Sequence, residues 1–158
     1  MDLTDAVLAD YMGRAIELAK QRPWGIGRPY VGALVVSPSG EVVGEGYKHF
    51  LDGTDIVVHA ERMALDNADE SAVDGCLITT LEPCALAHKK QVFSPCAELI
   101  TKRGIHMVVL GLIDETPSFG RRAGINYLQR HGIDVVIYSG FNPTITNELM
   151  RRKNIGAE

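Results

Sequence analysis

VGALVVSPSGEVVGEGY, residues 31–47, sets the fold class. Val31 to Val36 is an apolar run of the kind a buried strand shows, and Pro38-Ser39-Gly40 is a turn signal. Glu41 to Tyr47 then reads as the returning strand of a hairpin. Upstream, Leu8, Met12, Ala15 and Ala19 recur at helical spacing, with Thr4 as N-cap. Downstream, helix and strand alternate. His59 to Ala68 carries helix formers, and Cys76 to Thr80 is a short strand stopped by Pro83. Ser94-Pro95 opens a helix, with Ser as N-cap and Pro at the first helical position, that runs to about Lys102 and ends at Gly104. His106 to Gly111 is a strand, Gly120 to Arg130 a helix stopped at Gly132, and Asp134 to Tyr138 the last strand. Asn142-Pro143 opens a final helix.

A hairpin followed by such alternation predicts an α/β fold, a three-layer α-β-α sandwich around a five-stranded mixed sheet. Functional groups are then expected where helix N-termini meet the ends of the central strands. Residues 1–158 are expected to form a single domain, because that length holds one core comfortably and two poorly.

Bulk properties narrow the function classes. No stretch approaches the roughly 18 apolar residues of a membrane span. The N-terminus is acidic and periodic, unlike a signal peptide, which leads us to expect a cytoplasmic protein with no membrane partner. A net charge of −4 argues against a polyanionic partner such as nucleic acid. Three cysteines, Cys76, Cys84 and Cys96, do not form an even disulfide framework. Cys76 reads as a small buried residue at a strand start.

The chemistry concentrates in His59-Ala60-Glu61, Pro83-Cys84 and Cys96. One imidazole and two thiolates supply three ligands of a zinc tetrahedron and leave the fourth position open, as a catalytic site requires. Water bound there loses much of its proton affinity. Cys96, at the second position of its expected helix, gains from the helix dipole, which favours the thiolate. Glu61, two residues after His59, suits a carboxylate that moves protons without binding metal. A structural zinc would need a fourth protein ligand, for which Cys76 or His88 is available.

H-x-E, then P-C, then a second Cys resembles the signature of zinc nucleobase deaminases. The chain resembles the cytidine and deoxycytidylate deaminase superfamily, and within it the pyrimidine deaminase domain of riboflavin biosynthesis. The likeness is carried by Gly44-Glu45-Gly46-Tyr47, His59-Ala60-Glu61, Thr80-Leu81-Glu82-Pro83-Cys84, Ser94-Pro95-Cys96, Gly120-Arg121 and Gly132-Ile133-Asp134-Val135. It implies a cytidine deaminase-like fold and one zinc ion per chain, held by His59, Cys84 and Cys96. It further implies Glu61 as the catalytic proton carrier in hydrolysis of a small heterocyclic amine, with release of ammonia. It also implies a homodimer or higher homo-oligomer, with the outer helices near Ile125 and Leu149 as interfaces.

Substrate contacts are expected at Arg28, His49, His88, Lys89 and Asp114. Arg28 stands where many relatives have an Asn that contacts substrate, and a guanidinium only donates where an amide also accepts. His49 and Asp114 match substrate-facing positions of the riboflavin-type domain. His88 and Lys89 lie among the eleven residues between Cys84 and Cys96, a longer separation than in the relatives. The loop from Arg22 to Pro29, with Trp24, is expected at the pocket mouth. Two other readings compete. A deaminase editing a base within nucleic acid would need a basic track with aromatics, against which stand the acidic balance and 6% aromatic content. A non-catalytic zinc-bearing binding protein would have no use for Glu61.

Overall fold

A computed structural model describes residues 2–86, 92–115 and 120–150. The hairpin forms from β1 (Gly32–Val36) and β2 (Val42–Tyr47), paired antiparallel with a register shift between Val35 and Val36. β1 also pairs antiparallel with a later strand of residues Cys76–Leu81. Between them lie two elements the apolar pattern did not signal, β3 (His49–Phe50) and β4 (Val57–Val58), which form a separate two-stranded ribbon. The Cys76–Leu81 strand is therefore β5, followed by β6 (Met107–Leu112) and β7 (Asp134–Ile137), all three parallel. The sheet order is β2-β1-β5-β6-β7, the five-stranded mixed sheet expected.

Side chains alternate across this sheet with period two, as pleating dictates. Ala33 and Val35 of β1 face one layer with Leu77 and Val108; Leu34 and Val36 face the other with Ile78 and Val109. The first layer is α2 (Ala60–Ala68), α3 (Cys96–Lys102) and α4 (Ala123–Arg130), which supply Ala64, Ile100 and Leu128. The second is α1 (Asp5–Ala19) and the C-terminal helical segment, which supply Met12, Ile16, Ile145 and Leu149. The Thr4 hydroxyl accepts from Val7 N and caps α1.

Glycine makes the tightest approach possible. A Cβ on Gly44 would sit 2.1 Å from the Ala64 carbonyl oxygen, and one on Gly46 2.2 Å from that of Ala60. α2 consequently lies directly on β2.

Three sequence expectations need correction. α3 is capped by Pro95, not Ser94, so Cys96 is the first helical residue, not the second; a shift of one residue is ordinary at a helix end. α4 starts at Ala123 rather than Gly120, because Arg122 takes a left-handed conformation, φ 57°, that ordinary helix cannot propagate. The last helix is irregular: a 3₁₀ turn, Ser139–Phe141, leads into α5 (Asn142–Thr144) and then a wider π-type turn, Ile145–Met150. The side chains of Ile125 and Leu149 themselves are buried in the core, 4% and 1% exposed. Cys76 is fully buried at the start of β5, as expected. Among the described residues no helix is long and apolar enough to cross a membrane.

Candidate active site

His59 is the N-cap of α2, yet its side chain makes no capping hydrogen bond. Ser, Thr, Asp or Asn would normally stand there to satisfy the helix. The imidazole turns instead toward the sulfurs: Nδ1 lies 3.7 Å from Cys84 Sγ and 3.3 Å from Cys96 Sγ. Cys84 follows the end of β5, and Cys96 opens α3. The Cys96 amide donates to Cys84 Sγ at 3.3 Å, and the Ala97 amide to the Cys84 carbonyl at 3.0 Å. These two bonds bring residues twelve apart in sequence into one turn. The three donor atoms all lie within 4.8 Å of one another, and theirs is the one such group of metal-capable side chains among the described residues. Cys76 is not in it.

Electrostatics divide the roles of the sulfurs. The hydrogen bond from Cys96, aided by His59, pulls the Cys84 thiol down to about 4 against the effect of its burial. Cys96 is pushed the other way, by donating that bond and by burial. His59 is raised, chiefly by its bond to Cys84. The three side chains together are a Cys84 thiolate held by a Cys96 thiol and by an imidazole biased toward its protonated form.

Glu61 sits in the first turn of α2, 4% exposed, and lines the same cavity. Burial raises its carboxyl above the usual range, with the neighbouring His59 opposing. The Thr79 hydroxyl, buried on β5, donates to the Leu81 carbonyl at 3.0 Å and lies 3.4 Å from Glu61 Oε1. Nothing in the sequence pattern singled out Thr79, because an inward-facing Thr in a strand is common.

The cavity measures about 720 Å³, the scale of a nucleoside or small nucleotide, and His59, Glu61 and Cys84 lie on its wall. Of the expected substrate contacts, Arg28 and Asp114 line it. The Arg28 guanidinium donates to the Glu148 carbonyl at 3.1 Å and lies 4.7 Å from the centre of the Tyr30 ring. His49 is not on the cavity wall; its Nδ1 lies 2.8 Å from the Tyr47 carbonyl. Trp24 is 95% exposed and also off the wall, although its loop supplies Arg28 and Pro29. His88 and Lys89 lie outside the described residues.

Two contributors were missed by sequence reasoning. Lys48 projects from the end of β2 and its ammonium donates to the Gly27 and Pro29 carbonyls, at 2.9 and 3.2 Å, which fixes the loop beside the cavity. Burial lowers its pKa. The chain's own C-terminal segment also closes one side: Tyr30 N donates to the Leu149 carbonyl, and Met150 lines the cavity. Both are non-local pairings that no window of sequence reveals.

A concave site with a soft donor cluster and a buried carboxylate suits hydrolysis of an amine on a small ring, and comparison with known proteins agrees. The family model for the cytidine and deoxycytidylate deaminase zinc-binding region matches residues 6–112, and the chain belongs to that family, hydrolytic deaminases by class. Over 126 residues it is 40% identical to the diaminohydroxyphosphoribosylamino-pyrimidine deaminase of Buchnera aphidicola, a match covering 79% of this chain and 80% of that protein. Over 128 residues it is 40% identical to the riboflavin biosynthesis protein RibD of Actinobacillus pleuropneumoniae, covering 80% of this chain but 32% of that longer protein. The chain thus spans about a third of RibD's length. The solved diaminohydroxyphosphoribosylaminopyrimidine deaminase/5-amino-6-(5-phosphoribosylamino)uracil reductase of Thermotoga maritima superposes with a TM-score of 0.70 at 35% identity, covering 89% of this chain and 38% of that one.

Proposed function

We propose that this chain hydrolyses the exocyclic amine of an aminopyrimidine nucleotide, with diaminohydroxyphosphoribosylaminopyrimidine as the first candidate, and releases ammonia. The observation that carries the reading is the placement of buried Glu61 on the same cavity wall as His59 and Cys84. The ring comes from the relatives' printed activity.

His59 Nδ1, Cys84 Sγ and Cys96 Sγ would hold one zinc ion. The donor set fits: one imidazole and two sulfurs, pre-gathered by hydrogen bonds, with no fourth His, Cys, Asp or Glu in the group among the described residues. When bound, the metal supplies the Lewis acidity that makes water nucleophilic near neutral pH. The remaining work falls to the protein. The Glu61 carboxylate takes one proton from water as the water oxygen bonds to the amine-bearing carbon, and delivers that proton to the adjacent ring nitrogen. It then takes the second proton from the added oxygen and gives it to the amine, so that the C–N bond breaks, ammonia leaves and a carbonyl remains. Its burial favours this traffic, since a raised pKa brings a carboxyl closer to the operating pH. The cavity wall at Arg28, Pro29, Val31 and Asp114 orients the substrate. A net charge of −4 supports a free small molecule, not nucleic acid, as the partner. The same reading takes the protein as a cytoplasmic homo-oligomer.

The test is ammonia release from diaminohydroxyphosphoribosylaminopyrimidine, set beside cytosine, adenine and guanine compounds as bases, nucleosides and nucleotides. Wild type should turn over the first compound. Glu61→Ala should lose ~10²–10⁴-fold in rate while keeping its zinc. Undiminished turnover by that variant, or wild type without zinc, would refute the proposal.

A further inference from the structure

Glu82, two residues before Cys84 in the Thr80-Leu81-Glu82-Pro83-Cys84 motif, has no role in the site described above. Glu82 is 6% exposed, and among the described residues its carboxylate bonds only to backbone. Oε1 accepts from Asp114 N at 3.1 Å; Oε2 accepts from Gly124 N at 3.0 Å and Ile125 N at 3.2 Å. Gly124 and Ile125 are the second and third residues of α4, the amides a helix N-cap side chain normally satisfies. α4 has no such cap of its own, because Arg122 makes no side-chain bond there. Glu82 thus caps the helix through space, from just past the end of β5 and 42 residues before Gly124. The approach is as close as glycine permits: a Cβ on Gly124 would lie 2.0 Å from the Pro83 carbonyl oxygen.

Glu82, Pro83 and Cys84 line the cavity, and so do Asp114, Ala123 and Gly124. We propose that Glu82 is a positioning residue that locks these two stretches of the wall to each other and so sets the grip on the substrate. This rests on the deaminase reading above. Among the described residues no hydrogen bond joins Glu82 to His59, Cys84, Cys96 or Glu61. Its loss should therefore loosen substrate binding more than it slows the chemical step.

Two variants test this. Glu82→Ala removes all three acceptor contacts; Glu82→Gln keeps the volume but turns an NH₂ toward amides that need an acceptor. KM for diaminohydroxyphosphoribosylaminopyrimidine should rise ~10-fold in Glu82→Ala and less in Glu82→Gln, with kcat within about threefold of wild type. Zinc content should not change. Hydrogen exchange at Asp114, Gly124 and Ile125 should accelerate in both variants. A fall in kcat at unchanged KM would overturn the assignment, as would unaltered exchange at those amides. If Glu82→Ala does not fold, Glu82→Gln carries the test, and failure of both to fold makes Glu82 a residue of the fold and overturns the proposal. A wild type silent on this and every other amine refutes only the reading of the reaction, and the exchange data alone then decide whether the lock exists.

Discussion

His59 Nδ1 lies 3.3 Å from Cys96 Sγ, although 37 residues separate them in sequence. That contact, with the bond from Cys96 to Cys84, leaves the metal-free cluster holding protons that a zinc ion must displace. Cys84 sits at about 4 and is already a thiolate at pH 7. Cys96 is raised well above its ordinary value and is a thiol, while His59 is raised toward the imidazolium. Zinc takes thiolate sulfur and neutral imidazole. Binding at pH 7 should therefore release a proton from Cys96 and none from Cys84, with His59 adding the share of its ring that is protonated. Affinity should weaken as pH falls, because acid favours the proton-loaded cluster. Zinc titration calorimetry in buffers of different ionisation enthalpy measures the count, and zero proton release would show that the cluster is not the binding site.

The hairpin and the helix–strand alternation were legible because β1, β5 and β6 are apolar runs bounded by turn residues, and the helical layers repeat at their own period. The metal-capable trio was legible because an H-x-E and two cysteines form an ordered pattern. The rest failed for physical reasons. β3 and β4 have two residues each, and the stretch from Leu51 to Asp55 between them is exposed, so no periodicity builds up. Ser94-Pro95 satisfies the local rule for a helix start, yet the cap moves one residue on, where the Ala97 amide donates to Cys84. Glu82 was visible only as a letter in a motif. Its partners lie 32 to 43 residues away, and long-range backbone capping has no sequence signature. Lys48 and Thr79 are of the same kind.

Gly46→Ala tests whether the close seating of α2 on β2 holds the site. The added methyl would meet the Ala60 carbonyl 2.2 Å away, with the Ala64 amide at 2.6 Å. Neither neighbour is the end of a flexible side chain, so α2 itself must shift. Overpacking of this sort costs about 1–3 kcal/mol. His59 and Glu61 flank Ala60, so the displacement reaches both. The expected result is a lower denaturant midpoint together with reduced zinc content and turnover. Gly40→Ala is the control for a glycine whose added Cβ meets nothing within 4 Å; there the cost comes only from its φ of 93°. It should lose stability without losing zinc. Full zinc occupancy in Gly46→Ala would separate the site from this packing.

Arg62 offers a way to perturb one ligand alone. It follows Glu61 on α2, and its guanidinium donates from Nη2 to both the carbonyl and the hydroxyl of Ser94, each at 3.1 Å, while lying 4.8 Å from the Phe93 ring centre. It thus fastens the segment just before Cys96 to the helix that carries His59. Its positive charge also favours the Cys96 thiolate, as the smallest of the influences on that sulfur. Outer partners of this kind typically change metal affinity ~10–100-fold. Here the lower end is expected, since α3 is separately anchored by fully buried Ala97 and Ile100. Arg62→Ala should therefore weaken zinc about tenfold in competition with a chromogenic chelator, with its far-ultraviolet circular dichroism unchanged. Arg62→Lys decides between clamp and charge, because lysine keeps the charge but cannot reproduce the planar guanidinium on Phe93. Affinity that stays low in the lysine variant identifies the clamp; recovery to wild-type affinity assigns the effect to charge and refutes it.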